Sequence, residues 1–183
     1  MCQILNNKLY KQKMRKIIVL SFVLLAIGSA QAQESMVING VRWAFQNVGA
    51  PEFDFMSFGN RFTWYQAQHA CPPGWRLPTQ EELIRLQNAN AEWVQGQGML
   101  GIRFGSGNNL IVIPAAGFSN PATGRIEGVN IAVAVWSSTR GSDKFVNGSW
   151  FPTAYAFLGS QQGGNESGFL ATGLALSVRC VVR

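Results

Sequence analysis

Positive charge is scarce in most of this 183-residue sequence. The chain has 15 Lys and Arg against 9 Asp and Glu, but five of the basic residues precede residue 33 and none of the acidic ones do. Residues 33–183 therefore carry ten basic and nine acidic side chains, and Lys144 is their one lysine. Because a nucleic-acid-binding domain needs clustered basic residues on one face, this composition excludes nucleic acid as an expected partner.

Hydrophobic runs long enough to span a bilayer are also lacking. The run Ile17–Ile27 has about 11 residues, whereas a transmembrane helix needs roughly 20. It follows a basic start and leads into Ala30-Gln31-Ala32, the pattern of a secretory signal peptide with its cleavage site. We expect residues 1–32 to be a signal peptide, with 1–13 as a mis-start extension. Residues 33–183 are then exported as a single domain without a stable membrane span.

Cysteine and histidine are the next scarce residues. Cys71 and Cys180 are the two cysteines after residue 32, and His69 is the one histidine of the chain. One histidine is too few for the usual zinc site, and on a helix His69 would not face Cys71, two residues later. A functional thiol is the rival interpretation. In an exported domain, however, two cysteines predict one disulfide, between Cys71 and Cys180.

Turn residues and hydrophobic spacing predict the first elements. Asn39-Gly40 lies between alternating apolar residues and predicts a hairpin over Met36–Gly49. Helical spacing predicts a short helix over Phe62–Cys71, which ends before two prolines. Thr79 and Glu82 have the T-x-x-E spacing of a capping box, so a second helix is expected to begin there.

The later part of the chain is predicted to consist of strands and polar loops. Apolar runs predict four strands: Leu110–Phe118, Ile131–Thr139, Thr153–Gly159 and Leu174–Val182. Segments rich in Gly and Asn predict two loops: Arg140–Pro152 and Ser160–Ala171. Four tryptophans are expected in the core: Trp43, Trp64, Trp75 and Trp136.

Five blocks along the chain carry a family resemblance: NGVRWAFQNVG, FTWYQAQHACPPGWRLPTQEELIRL, IPAAGF, VWSST and LSVRCV. Over Val37–Val182 the sequence resembles the Fibrobacter succinogenes major paralogous domain, a family of envelope and secreted proteins of Bacteroidetes and Fibrobacteres. The resemblance implies an α+β, C-type-lectin-like fold. Such a fold has two short helices beside a small twisted antiparallel sheet, paired N- and C-terminal strands, and one long-range disulfide. The sequence departs from the family pattern at three positions: Ile113, Phe118 and Val135.

Two functions found among proteins of that fold are not expected here. Calcium-binding lectins need six to eight oxygen ligands, but Trp136 is followed by Ser137-Ser138-Thr139 without an aspartate, and Asn120-Pro121 has no neighbouring carboxylate. Enzymatic relatives use a cysteine pair in chemistry, whereas both cysteines here are assigned to the disulfide. No base accompanies the Ser-Ser-Thr hydroxyls. We therefore expect neither an enzyme, nor a metal, nor a cofactor.

Binding and assembly are the two remaining classes of function. Loops often carry the contacts of a domain, and aromatic rings supply large contact areas. The candidate binding residues lie in the first predicted loop: Arg140, Asp143, Lys144, Trp150 and Phe151. We expect a binding module in the periplasm, on the outer surface or in the medium, which contacts a glycan or a cell-surface protein. The alternative is a structural component of a surface appendage or envelope complex.

Overall fold

The computed structural model describes residues 34–183, apart from residues 53, 55, 97, 98 and 163. The predicted signal peptide and its cleavage site lie outside the described residues. No helix within the described part has the length and apolarity needed to cross a membrane. Strands make up 50% of this part and helices 8%. The predicted α+β class is therefore wrong, and the fold is mostly β.

Sixteen strands and two helices follow one another in the described chain. The first six elements are β1 (Ser35–Ile38), β2 (Val41–Ala44), β3 (Arg61–Thr63), α1 (Trp64–Ala67), β4 (Trp75–Arg76) and α2 (Gln80–Gln87). The next five are β5 (Glu92–Gly96), β6 (Met99–Ser106), β7 (Asn109–Pro114), β8 (Phe118–Asn120) and β9 (Arg125–Glu127). The last seven are β10 (Ala132–Arg140), β11 (Lys144–Val146), β12 (Ser149–Phe151), β13 (Thr153–Ser160), β14 (Gly164–Ala171), β15 (Ala175–Ser177) and β16 (Val181–Val182).

The predicted opening hairpin is confirmed. β1 and β2 pair antiparallel around Asn39-Gly40, and these turn residues have φ values of 45° and 79°, as a type I′ turn requires. β2 also pairs with β16, where Trp43 lies opposite Val181. The four-stranded sheet β1-β2-β16-β4 thus joins the beginning and the end of the described chain.

Both predicted helices are present, but the first is shorter than predicted. α1 has four residues, because Phe62 and Thr63 belong to β3 and Thr63 caps the helix. α2 begins at the predicted capping box. There the Glu82 N–H donates to Thr79 Oγ1 at 3.2 Å, and the Thr79 N–H donates to Glu82 Oε2 at 2.8 Å. Two leucines of α2 are buried in the core: Leu83 and Leu86.

The predicted disulfide between Cys71 and Cys180 is confirmed, with the two Cα atoms 5.9 Å apart. Cys71 lies in a bend after α1 rather than within the helix, and Cys180 directly precedes β16. The bond connects positions 109 residues apart in the sequence. It therefore ties the α1 segment to the four-stranded sheet.

The seven-stranded sheet explains much of the error in fold class. Its order is β14-β13-β10-β15-β8-β9, and β3 pairs with β15 beside this path. β14 lies in the segment Ser160–Ala171, which was predicted to be a loop. The loop was predicted because the sequence GNESGFLA is rich in residues that are unfavourable in strands. β14 nevertheless pairs with β13 in unbroken register from Thr153↔Ala171 to Ser160↔Gly164. Tertiary pairing thus outweighs weak local preference.

Two clusters of buried hydrophobic side chains form the core. Trp43 belongs to the first cluster, and Trp64 and Trp136 belong to the second. The indole N–H groups of Trp64 and Trp136 both donate to backbone carbonyls at 2.8 Å, which is the usual arrangement for buried polar groups. Three of the expected core tryptophans are therefore buried, whereas Trp75 is half-buried.

Candidate functional site

The candidate site is the β11–β12 hairpin, which lies in the segment predicted as a loop over Arg140–Pro152. Its register has three pairs: Lys144–Phe151, Phe145–Trp150 and Val146–Ser149. Asn147 and Gly148 form the turn with φ values of 49° and 80°, again the type I′ geometry. Within the described part of the chain the hairpin pairs with no further strand. The Asn-Gly turn, rather than a neighbouring sheet, therefore specifies it.

All six strand residues of this hairpin are exposed. Trp150 is 69% and Phe145 59% exposed, and their ring centroids are 5.2 Å apart. Successive residues of a strand point to opposite faces, so the exposed Val146 and Phe151 lie on the face opposite this aromatic pair. The hairpin therefore presents apolar side chains on both faces.

The base of the hairpin is fixed to the seven-stranded sheet. The hairpin connects β10 to β13, whose last pair before it is Arg140↔Ala154. The Gly141 N–H donates to Thr153 O at 2.8 Å, and Thr153 Oγ1 donates to Ser142 O at 2.7 Å. Gly141 also lies so close to the sheet that an added Cβ would come within 2.3 Å of the Phe169 ring. This packing gives the exposed ribbon a rigid point of attachment.

The charged residues predicted for the site surround this base. Arg140 and Asp143 form an exposed ion pair at 3.3 Å, and Lys144 Nζ donates to Phe169 O at 3.3 Å. An exposed ion pair of this kind stabilises by about 0–1 kcal/mol at most. The structure thus brings all five predicted residues into one hairpin and its base, where Lys144 is bonded to β14 and Arg140 and Asp143 pair with each other.

Two residues of the site were missed by sequence reasoning, Phe145 and Val146. A signal for them was present, since K-F-V-N-G-S-W-F contains the same Asn-Gly pair that correctly predicts the turn between β1 and β2. With the turn placed at Asn147-Gly148, the period of two puts Phe145 directly opposite Trp150. The segment was interpreted as a loop because it is polar and rich in Gly and Asn.

The hydroxyls of Ser137-Ser138-Thr139 have structural partners. Ser137 Oγ donates to Tyr155 O at 2.9 Å, Ser138 Oγ donates to Pro78 O at 3.3 Å, and Thr139 Oγ1 accepts from the first backbone N–H of α2 at 2.9 Å. His69 is exposed in the turn after α1. Within the described residues, no group of three or more His, Cys, Asp or Glu is arranged to hold a metal ion.

A fully buried arginine, Arg179, was also missed. Its guanidinium donates to Asn47 Oδ1, Ala44 O and Val112 O, each at 3.0 Å, and no carboxylate of the described chain contacts it. Burial lowers the pKa of Arg179 to about 9. No local signal marks an arginine in the apolar run LALSVRCVV as buried and charged. Arg179 therefore connects β2, the loop after β2 and β7. Because its side chain is fully buried, it is not accessible to a ligand.

A second set of exposed apolar residues lies on β9, the strand at one edge of the seven-stranded sheet, and in the turn after it. We call it the β9 patch and define it by three residues: Ile126, Val129 and Ile131. Ile126 is 54% and Ile131 58% exposed. Val129 and Ile131 are β-branched residues in a surface turn, where Gly, Asn, Asp and Ser are favoured. The sequence analysis did not single out this patch.

In comparisons with known proteins, no family model, curated protein or solved structure matches the chain. The resemblance of the sequence blocks to the Fibrobacter succinogenes major paralogous domain therefore stays a prediction. Seven of the ten large exposed hydrophobic residues of the described chain belong to the hairpin and the β9 patch.

Proposed function

We propose that the protein is an exported, non-enzymatic binding module and that the β11–β12 hairpin is its contact element. The observation that carries this proposal is the exposure of four large apolar side chains on one projecting ribbon. Scattered exposed hydrophobic residues are normal, whereas a contiguous group marks an interaction site. An isolated two-stranded hairpin is also only marginally stable in water, so a partner that covers it would stabilise it.

The proposed ligand is a glycan or a cell-surface protein. Exposed aromatic rings suit both, because they offer a large, rigid contact area at low entropic cost. Covering the four side chains removes roughly 450 Å² of apolar surface, which contributes about 10 kcal/mol, and association costs about 4–15 kcal/mol. Binding by the hairpin alone is therefore expected to be weak, and a multivalent surface would strengthen it.

A glycan array tests the glycan branch of this proposal. We expect labelled protein to bind a subset of glycans, and Trp150→Ala to abolish the signal because it removes the largest exposed ring. Tyr65→Ala is the matched control, since Tyr65 is an exposed aromatic residue that lies on α1 and outside the hairpin. Equal binding by all three proteins would exclude the hairpin as the contact element.

The protein branch needs a second measurement. A photo-crosslinking amino acid at position 150 should yield a discrete adduct on the envelope surface of the producing cell, and the same amino acid at position 65 should not. Absence of both glycan binding and a hairpin-specific adduct would contradict the proposed binding function.

The second candidate function is assembly into a surface appendage or envelope complex. The specific observation in its favour is the β9 patch, because a subunit of an assembly needs two contact surfaces and a simple binding module needs one.

Membership in the Fibrobacter succinogenes major paralogous domain family is proposed with both functions. Its support is that the CPPGWRLPT and LSVRCV blocks contain the disulfide, and that strands from both ends of the described chain pair with each other.

A further inference from the structure

The chain contains two Asn-Gly pairs, Asn39-Gly40 and Asn147-Gly148. Each pair forms the turn of a two-stranded hairpin, and the four residues have φ values of 45°, 79°, 49° and 80°. All four residues are exposed. The two pairs share sequence, turn type and exposure, so a difference in their chemistry has to come from the strands and contacts around them.

An asparagine followed by glycine can lose its side-chain amide without an enzyme. The backbone nitrogen of the glycine attacks Cγ of the asparagine, the new N–Cγ bond closes a succinimide ring, and the Cγ–Nδ2 bond breaks. The proton of the attacking N–H leaves with the amide nitrogen as ammonia. Water then opens the ring at either carbonyl and leaves aspartate or isoaspartate. Glycine favours this reaction because it has no Cβ to crowd the attacking nitrogen.

The closed turn opposes this ring closure. In a type I′ turn the first central residue has a ψ of about +30°, which directs the nitrogen of the next residue away from the side chain of the first. The ring closes only after ψ has rotated, and this rotation disrupts the turn. The rate of the reaction in the folded protein therefore depends on how often each turn opens.

Tertiary contacts hold the Asn39-Gly40 turn closed. Nδ2 of Asn39 donates to Arg85 O at 3.0 Å, which connects the turn to α2. The flanking Ile38 and Val41 are buried in the core, and β2 pairs with β16 on the side away from β1. Opening this turn exposes core side chains, so its free energy lies toward that of global unfolding.

The Asn147-Gly148 turn has no such support. The flanking Val146 and Ser149 are exposed, and no further strand of the described chain pairs with β11 or β12. Within the described residues, no hydrogen bond joins the Asn147 side chain to another group. The hairpin is closed by its three residue pairs and by the contact between the two aromatic rings of its strands. Because an isolated hairpin is marginally stable, this turn opens without unfolding the core.

We propose that Asn147 is a deamidation site of the folded protein and that Asn39 is protected. Conversion of Asn147 adds a negative charge to the turn, and the isoaspartate product also inserts a methylene group into the backbone. The inserted group displaces the register that sets Phe145 opposite Trp150. The reaction therefore alters the hairpin permanently and leaves the core intact. This inference goes beyond the binding function and is independent of the ligand.

Peptide mapping by mass spectrometry tests the proposal. The full-length protein is incubated at mildly alkaline pH, and the fractions of aspartate and isoaspartate at positions 39 and 147 are followed over time. In the folded protein we expect Asn147 to react at least about tenfold faster than Asn39, the factor given by an opening free energy lower by about 1.4 kcal/mol. The same measurement in concentrated urea is the control, because both Asn-Gly pairs should react at similar rates in the unfolded chain.

A double variant tests whether opening of the hairpin sets the rate. Phe145→Ser/Trp150→Ser removes the cross-strand aromatic pair and should accelerate the reaction at Asn147 by about two- to fivefold, with no change at Asn39. Tyr65→Ser, which removes an exposed aromatic side chain outside the hairpin, should change neither rate. Circular dichroism verifies that each variant is folded.

Three results would overturn the inference. The first is an equal rate at Asn147 and Asn39 in the folded protein. The second is an Asn147 that stays intact in the folded protein under conditions in which the unfolded chain reacts. The third is an unchanged rate in the double variant, because the reaction would then not depend on opening of the hairpin. None of these measurements involves a ligand, so the binding function is tested separately by the glycan array and by crosslinking.

Discussion

The Nε–H of Arg179 donates to Oδ1 of Asn47 at 3.0 Å, and both side chains are buried. Asn47 also donates to Phe58 O at 3.1 Å, so it links the buried guanidinium to the loop before β3. Two backbone carbonyls complete the partners of Arg179. A buried cation held by neutral acceptors depends strongly on each of them, because an unmade hydrogen bond leaves the desolvation cost uncompensated.

We therefore predict that Asn47→Ala and Arg179→Met are strongly coupled. Asn47→Ala alone should lower the free energy of unfolding by about 2–4 kcal/mol, because it leaves a charged donor unpaired. In the Arg179→Met background the same change should cost at least about 1 kcal/mol less. Urea unfolding of the four proteins measures the coupling. Additive effects would show that Asn47 acts through Phe58 rather than through Arg179.

The disulfide is predicted to stabilise the fold without taking part in binding. Replacing both Cys71 and Cys180 by alanine should lower the free energy of unfolding by about 2–5 kcal/mol. Alanine avoids placing an unpaired hydroxyl at the fully buried position 180. A reducing agent should lower the melting temperature of the wild type and leave that of the double variant unchanged. A reductant effect on both proteins would point to another cause.

Low pH should destabilise the N-terminal end of α2, because it protonates the carboxylate of Glu82. Its carboxylate accepts two hydrogen bonds from Arg76, at 2.7 Å each, and one from the Thr79 N–H. The side-chain hydrogen bond from Arg76, aided by Thr79 and by the charge of Arg76, lowers the pKa of Glu82 against the opposing effect of burial. A carboxylate with a lowered folded-state pKa stabilises the fold above its unfolded pKa of about 4.3, and that stability is lost as the pH falls through the folded value.

Glu82→Gln tests this dependence, because glutamine keeps the capping-box hydrogen bond and loses the charge. At neutral pH the variant should be less stable than the wild type by about 1 kcal/mol, a small value since Arg76 is partly exposed. The difference should shrink as the pH falls from about 5 to about 3. Unfolding curves at several pH values measure it. A difference that stays constant would mean that the charge of Glu82 has no role.

Local patterns predicted the elements whose signals are local. The Asn39-Gly40 turn, the Thr79 capping box and the apolar runs of β7, β10 and β13 all appear where expected. β14 was missed because its Gly, Asn and Ser residues have weak strand preference and its pairing comes from β13. Because strands such as β14 were missed and α1 was predicted to be too long, the sequence predicted an α+β fold where the structure is mostly β.

The candidate site was only partly predicted, because some of its features depend on tertiary structure and have no local sequence signal. Trp150 and Phe151 were singled out because they are aromatic residues in a predicted loop, and the exposure of Trp150 was not derivable from the sequence, since most tryptophans are largely buried. The β9 patch was missed because exposed and buried isoleucines look alike in a sequence. Arg179 was missed because its three partners lie on separate elements that only the fold brings together.

Two glycines near the hairpin should respond differently to replacement by alanine. A Cβ on Gly141 would lie 2.3 Å from Phe169 Cδ1 and 2.5 Å from Thr153 Oγ1. Phe169 packs edge-on against Tyr155, with ring centroids 5.4 Å apart, so Gly141→Ala should disturb the core and lower the free energy of unfolding by about 1–3 kcal/mol. Gly148 has a φ of 80° and no atom within 4 Å of an added Cβ. Its replacement therefore meets backbone strain of about 1 kcal/mol but no steric clash.

Because the hairpin projects from the fold, we expect the strain in Gly148→Ala to stay local. Hydrogen exchange of the β11 and β12 amides should become faster in this variant, with the core amides and the global unfolding free energy nearly unchanged. In Gly141→Ala, exchange should accelerate in β13 and β14 as well, because Phe169 and Thr153 must move. Loss of global stability in Gly148→Ala would contradict the independence of the hairpin, which is what leaves its aromatic side chains available to a partner.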